Sequence, residues 1–208
     1  MRKRRILSLA AILALLIGLQ SCALLEQFAG AFINLQRLKF KLGAVHDFSL
    51  LGINLSGKLS VSDFNAAEGL RLVQAFTSRR IPAEFVLDIV AVNPNDGTGG
   101  SRQTVSTLTG LESRLLVDGK PTVTGNIDRP IEIPGTGQEA TIGIRLSIDL
   151  YEFFGRGGYE DILGLALAIG GRRGTASRLS LDTLPTVTTP FGPITYPNRI
   201  TIVDKEFR

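Results

Sequence analysis

Two side chains that occur once each in this 208-residue chain, Cys22 and His46, limit the chemistry open to it. A catalytic triad or a His general base has to run through His46, which is followed by Asp47. No GxSxG, HExxH or CxxC motif accompanies it, so His46 reads as a surface or hydrogen-bonded structural residue. One His and one Cys also leave too few soft ligands for a zinc site. Asn93-Pro94-Asn95-Asp96-Gly97 invites a calcium reading, but an EF-hand needs a Glu six residues past its glycine, where this chain has Gln103. The stretch reads instead as a turn in which Asn side chains bond nearby backbone and Pro directs the chain. Gly155-Arg156-Gly157-Gly158 precedes a helix and has the look of an anion cradle, yet lacks the Lys-Ser/Thr of a P-loop. Glu160-Asp161 are most simply helix-dipole partners. No catalytic residue, metal or cofactor is expected.

Cys22 has a different use. Met1-Arg2-Lys3-Arg4-Arg5 is cationic, and Ile6 to Leu19 is apolar except for Ser8 and Gly18. This is the layout of a secretory signal over 1–21, and the apolar run is short for a membrane-spanning helix, which needs about 20 residues. Leu19-Gln20-Ser21-Cys22 resembles the lipobox of bacterial lipoproteins, which implies cleavage between Ser21 and Cys22 and acylation of Cys22. Two or three acyl chains, at about 0.8 kcal/mol per buried CH₂, anchor stably. Ala23 stands where an Asp would resemble the inner-membrane retention signal, so the expected location is the outer membrane, facing the periplasm. Residues 22–36 then form an apolar tether.

The charge balance follows from the same boundary. The chain has 23 Lys+Arg, 19 Asp+Glu and a formal charge of +4. The four excess charges are Arg2, Lys3, Arg4 and Arg5, all in the segment a signal peptidase removes. Arg79-Arg80 and Arg172-Arg173 are only pairs, without interleaved aromatics. Nucleic acid is therefore not an expected partner.

These residues must be positioned by elements that read mainly as strands. Lys39–Val45, Phe48–Asn54, Phe85–Val92, Thr104–Leu108, Glu112–Val117, Thr122–Asn126, Pro130–Ile133, Thr141–Leu150, Arg178–Asp182, Thr186–Thr189 and Arg199–Val203 are expected strands, with 190–197 a turn-rich connection. Thr141–Leu150 alternates most cleanly, with isoleucines and leucines on one parity. A helix capped by Ser62 or Asp63 is expected to run to Thr77 and bury Leu70, Val73 and Phe76, despite Gly69, which costs about 1 kcal/mol relative to Ala. A second helix is expected from Tyr159 to Ala168, stopped by Gly170-Gly171. Short strands joined by Gly/Pro turns make an antiparallel β-sandwich, mainly β, with one or two flanking helices.

Phe85-x-Leu87-x-Ile89-x-x-x-Asn93-Pro94-Asn95, with Leu115-Leu116-Val117-Asp118-Gly119-Lys120 and the strand 141–150, resembles the LEA14-like, or WHy-domain, family (late embryogenesis abundant group 2). The helix inserted at about 62–78 and the stretch 190–197 are similar to bacterial lipoprotein relatives. The resemblance implies an immunoglobulin/fibronectin-III-like sandwich over 37–208. It also implies an association with desiccation and stress tolerance, and no catalytic residues. The expected function is a non-catalytic, lipid-anchored envelope module that contacts an envelope protein, lipid or polymer. The alternative is an envelope ligand-binding protein or hydrolase with a dispersed site.

Overall fold

The computed structural model describes residues 33–98, 103–189, 192–204 and 206–207. The chain folds into two antiparallel sheets packed face to face, with helices gathered at one end. The first sheet orders β2 (Ile53–Asn54), β1 (Lys39–Leu50), β3 (Pro82–Val92) and β7 (Glu139–Asp149). In the second, β4 (Ser106–Val117) and β8 (Leu179–Thr189) form the centre. The strands β5 (Lys120–Gly125) and β6 (Ile131–Ile133) share the free edge of β4, and β9 (Gly192–Thr195) and β10 (Ile200–Ile202) share that of β8. The sequence's expectation of a mainly-β sandwich with flanking helices is met.

One parity of each central strand makes the core. Ala83, Phe85, Leu87, Ile89 and Ala91 of β3 face Leu108, Leu111, Leu115 and Val117 of β4, all buried. Between the sheets Phe48 and Phe85 stack with ring centroids 5.2 Å apart. The Leu42 amide donates to Val203 O at 2.8 Å, tying β1 to the chain beyond β10.

Three strands are longer than their sequence suggested, each for a physical reason. β1 is continuous from Lys39 to Leu50 because two bulges, after Leu42 and after His46, return Phe48 and Leu50 to the parity of Phe40 and Leu42. In β4 a bulge between Leu108 and Gly110 shifts burial from even to odd positions, which in sequence looks like two strands. β8 runs unbroken through Pro185. That proline sits where the partner changes from β10 to β9, and its carbonyl accepts from the Tyr196 amide at 2.8 Å. The N–H it lacks is on that same edge, where no ladder partner requires it. The stretch 190–197 is likewise more than a turn, since β9 lies within it.

The helices depart further from expectation. α1 (Ala66–Thr77) is capped by Asn65, not by Ser62 or Asp63. Asn65 Oδ1 accepts from the Glu68 amide and Glu68 Oε2 from the Asn65 amide, both at 2.9 Å, a closed capping box. Asp63 instead accepts from the Leu59 and Ser60 amides and holds a 3₁₀ turn, Val61–Asp63. The buried face of α1 carries Leu72 and Ala75, with Phe76 half-buried, while Leu70 and Val73 point to solvent. α2 (Leu150–Phe154), not expected from sequence, follows β7 directly because Asp149 Oδ1 caps it at Tyr151 N and also accepts from Ile81 N. α3 (Tyr159–Gly170) packs across β1. Residues 33–36, assigned above to the tether, are helical, and Leu35 is in the core.

Gly170 does more than end α3. A Cβ there would lie 2.0 Å from Cγ of Phe48, so the helix sits on the sheet at a separation only glycine permits. Gly69, in α1, has nothing within 4 Å of its would-be Cβ. Gly170→Ala is therefore expected to destabilise by about 2–3 kcal/mol through overpacking, and Gly69→Ala to stabilise by about 0.5–1 kcal/mol through helix propensity. Denaturant midpoints of the two variants should move in opposite directions.

Candidate functional site

Ser21 and Cys22 lie outside the described residues. The remaining sequence-selected motif, Asn93-Pro94-Asn95, leaves the end of β3, and both asparagines are fully buried. Asn93 Nδ2 donates to Thr104 O at 2.8 Å, Ile133 O at 3.1 Å and Ser106 Oγ at 3.2 Å. Its Oδ1 accepts from the Asn95 amide at 3.1 Å and from Asn95 Nδ2 at 2.8 Å. Asn95 Nδ2 also donates to Asn34 O at 2.9 Å, and Asn34 Nδ2 to Thr104 Oγ1 at 3.4 Å. The backbone adds Thr104 N to Asn95 O and Gly137 N to Asn93 O, each 3.2 Å.

The result is a polar lock that joins four separate stretches of chain, including the one at Asn34 that leads back to Cys22. Its packing admits no side chain at Gly135, whose Cβ would lie 2.3 Å from Thr104 O and 2.6 Å from Asn95 O. The asparagine oxygens that a calcium ion would need point inward, and Asn93 Oδ1 is already occupied. Exposed Asp96 closes a local turn by accepting from Thr98 N and Oγ1, which hold its carboxyl below the ordinary value, the hydroxyl bond contributing most. Among the described residues no group of three His, Cys, Asp or Glu side chains converges as a metal site would.

His46 sits on the outer face of the first sheet. Its Nε2 is 3.2 Å from Asp88 Oδ1, and its Nδ1 is 3.2 Å from Asp47 Oδ2. Asp88 is a charged residue within the otherwise apolar stretch Phe85–Val92 of β3, and its partner explains it: Asp88 is on the outward parity, across from the bulged part of β1. The hydrogen bond to Asp88, then that to Asp47, outweighs slight desolvation and raises the His46 pKa above 6.5. No hydroxyl or thiol nucleophile is bonded to the imidazole, so the cluster is an ion-pair clasp.

A cleft of about 600 Å³ opens at the opposite end from the lock, between the β4–β5 turn, α2 and α3. Three cations and three carboxylates line it, and most are committed. Arg178 holds Asp118 through Nε at 2.7 Å and through its second nitrogen. Lys120 Nζ donates to Phe153 O at 3.0 Å and lies 5.0 Å from the centre of the Phe154 ring. Glu160 and Asp161 occupy the first turn of α3, where the helix dipole favours them. Gly155-Arg156-Gly157 is a 3₁₀ turn leading into α3.

Sequence reasoning found the two asparagines but not their partners. Asn34, Thr104, Ser106 and Gly135 carry no local signal, because what selects them is a meeting of distant chain segments. No helix among the described residues is long and apolar enough to cross a membrane. No family model matches the chain. No curated protein matches it either. Among solved structures it is similar to a protein from Archaeoglobus fulgidus. That match is at 9% identity over 81% of this chain and 94% of the other, with a TM-score of 0.31, and it carries no functional argument.

Two outcomes follow from this geometry. Asn93→Ala strips donors from three buried acceptors, so it should cost roughly 3 kcal/mol and lower the melting midpoint by about 6–12 °C. The exposed neighbour change Asp96→Ala should shift it far less in the same calorimetric scan. For His46, an NMR titration should place the pKa above 6.5, and Asp88→Asn should bring it down. Because the folded value is raised, the clasp's stabilisation is fully present below the unfolded value and is lost as pH rises through the folded one. Wild-type stability relative to His46→Gln should accordingly be greatest below pH 6.5 and fall as pH rises above it.

Proposed function

We propose that this protein is a non-catalytic, lipid-tethered envelope module of the LEA14-like, or WHy-domain, kind. In this reading Cys22 carries the anchor and the sandwich acts through its surface, with stress or desiccation protection as its physiological setting. The observation that carries it is the sole cysteine closing Leu19-Gln20-Ser21-Cys22 behind a cationic and then apolar start. The asparagine lock supports it, because Asn95 grips the chain at Asn34, where a tether beginning at Cys22 would pull on the domain. A module held this way sits at high local concentration on a membrane and needs no active site to act on lipid, polymer or protein neighbours.

Cell fractionation with mass spectrometry of the mature N-terminus tests the anchor. The wild-type chain should begin at Cys22, carry acyl chains and sediment with membranes. Cys22→Ser should accumulate uncleaved or be released. A Cys22→Ser chain that is trimmed normally and stays on the membrane would overturn the proposal.

A further inference from the structure

The solvent face of α1 is built the wrong way round for a helix that only supports a fold. Leu70 is 59% exposed and Val73 55%, on adjacent turns of one face that also carries Ala66 and Thr77. The 3₁₀ turn just before the helix adds Val61 at 53%, and Leu59 precedes it at 42%. These are four of the six large apolar side chains exposed among the described residues, concentrated within 15 positions of a single insertion.

The charges around this face are one-sided. Arg71, Arg79 and Arg80 lie on or just after α1, and all three are exposed without an ion pair. Arg172 and Arg173 are brought to the same end by the Arg172 amide, which donates to Lys58 O at 2.8 Å. Both acidic groups of the insertion are used locally. Glu68 binds Lys58 at 2.9 Å and completes the helix cap, and Asp63 accepts two backbone amides. Five guanidinium groups therefore gather at this end with no ion pair among the described residues, Arg172 and Arg71 acting only at longer range on Asp63 and Glu68.

We propose that the solvent face of α1 docks on an anionic phospholipid bilayer. A short helix with aliphatic side chains on one face and arginines at its flanks has the chemistry of an element that lies in the headgroup region. A protein partner would more often be met by aromatic anchors and an apolar groove. A groove beside α1 is lined by Leu51, Ala75 and Pro82 together with Arg71, Gln74, Ser78 and Arg80, so two of these arginines stand at its rim. This contact is distinct from an anchor on Cys22. The tether joins at Asn34, at the far end of β1 from α1, about 40 Å away at roughly 3.3 Å per strand residue. The domain thus has a second, electrostatic attachment point whatever becomes of the cysteine.

The test uses the full chain with Cys22→Ser, so that acylation plays no part and one introduced thiol is unique. A polarity-sensitive fluorophore is placed on Val73→Cys, and in a second variant on Thr124→Cys in β5. Vesicles of phosphatidylglycerol should shift the position-73 emission to the blue and leave position 124 unchanged. Phosphatidylcholine vesicles, or about 0.5 M salt, should abolish the shift. Arg79→Gln and Arg80→Gln should each weaken binding about five-fold. The proposal is overturned if position 73 stays silent on phosphatidylglycerol, or responds equally on phosphatidylcholine. It is also overturned if the shift appears without vesicles as protein concentration rises, which would mark a second copy as the occupant. Failure here leaves the Cys22 reading untouched, since that is decided by the mass of the mature N-terminus.

Discussion

The two sheets are locked together at the end that carries Asn34 because Asn93 and Asn95 are buried there and all their side-chain polar atoms but Asn95 Oδ1 find partners. Backbone leaving a central strand between two packed sheets exposes carbonyls that no ladder can pair. Asn93 answers two of them, and the Ser106 hydroxyl, with one amide group, and Asn95 answers the backbone of Asn34 while bonding Asn93. The cost of burying polar groups is recovered only when the whole set is paired. That makes the lock cooperative. The chain at Asn34, the end of β3, the start of β4 and the turn after β6 are held together or released together. Gly135 shows how tightly the constraint is drawn, since its Cβ position is already filled by two carbonyl oxygens.

The opposite end is organised on a different principle. There the sandwich is closed by α1, α2 and α3 through side-chain packing: Phe76 meets Tyr151 and Tyr159 edge-on, with ring centroids 5.4 and 5.9 Å apart, and Gly170 lets α3 lie against Phe48. The molecule is polar and interlocked at one end, aromatic and helical at the other. Removing 1–21 leaves equal numbers of basic and acidic side chains. The arginines near α1 have no ion-pair partners among the described residues, whereas Arg178 and Arg199, each just before a strand of the second sheet, are held by carboxylates.

How much of this was legible in the sequence depends on the range of the interaction responsible. β7 was plain, because its alternation from Ile142 to Leu150 is uninterrupted. β4 and β8 were read as pairs of strands. A bulge that changes parity and a proline set at a change of partner look, in one dimension, like strand ends. The face of α1 was misread for a longer-range reason. Two stripes compete on that helix, Leu70 and Val73 against Leu72 and Ala75, with Phe76 between them. By size the first should be buried. Glu68 decides otherwise, since it lies on the side of Leu72 and pairs with half-buried Lys58 from before the helix. Turning Leu70 inward would carry Glu68 away from that ammonium. The partner on which this choice depends, Lys58, lies outside the helix.

The same reasoning bears on where function can reside. Asp88 looked like a flaw in an apolar core strand, and it is a surface residue of that strand clasped by His46. Asn93 and Asn95 read in sequence like a turn with metal-ligand potential; Asn93 and the amide group of Asn95 are spent on the fold, while Asn95 Oδ1 is buried without a hydrogen-bond partner. His46, Asp88 and Asn93 are thus accounted for by structural partners. The exposed aliphatic stripe on α1 and the arginines beside it have no such account. A folded chain offsets the exposure of large apolar side chains only by burying others, and Leu70 and Val73 are exposed while smaller Ala75 is covered. The insertion therefore spends its best hydrophobic residues outside the fold. Ile33 and Val105 are exposed singly, whereas here four such side chains cluster, and this is where contact with something outside the chain has most to explain.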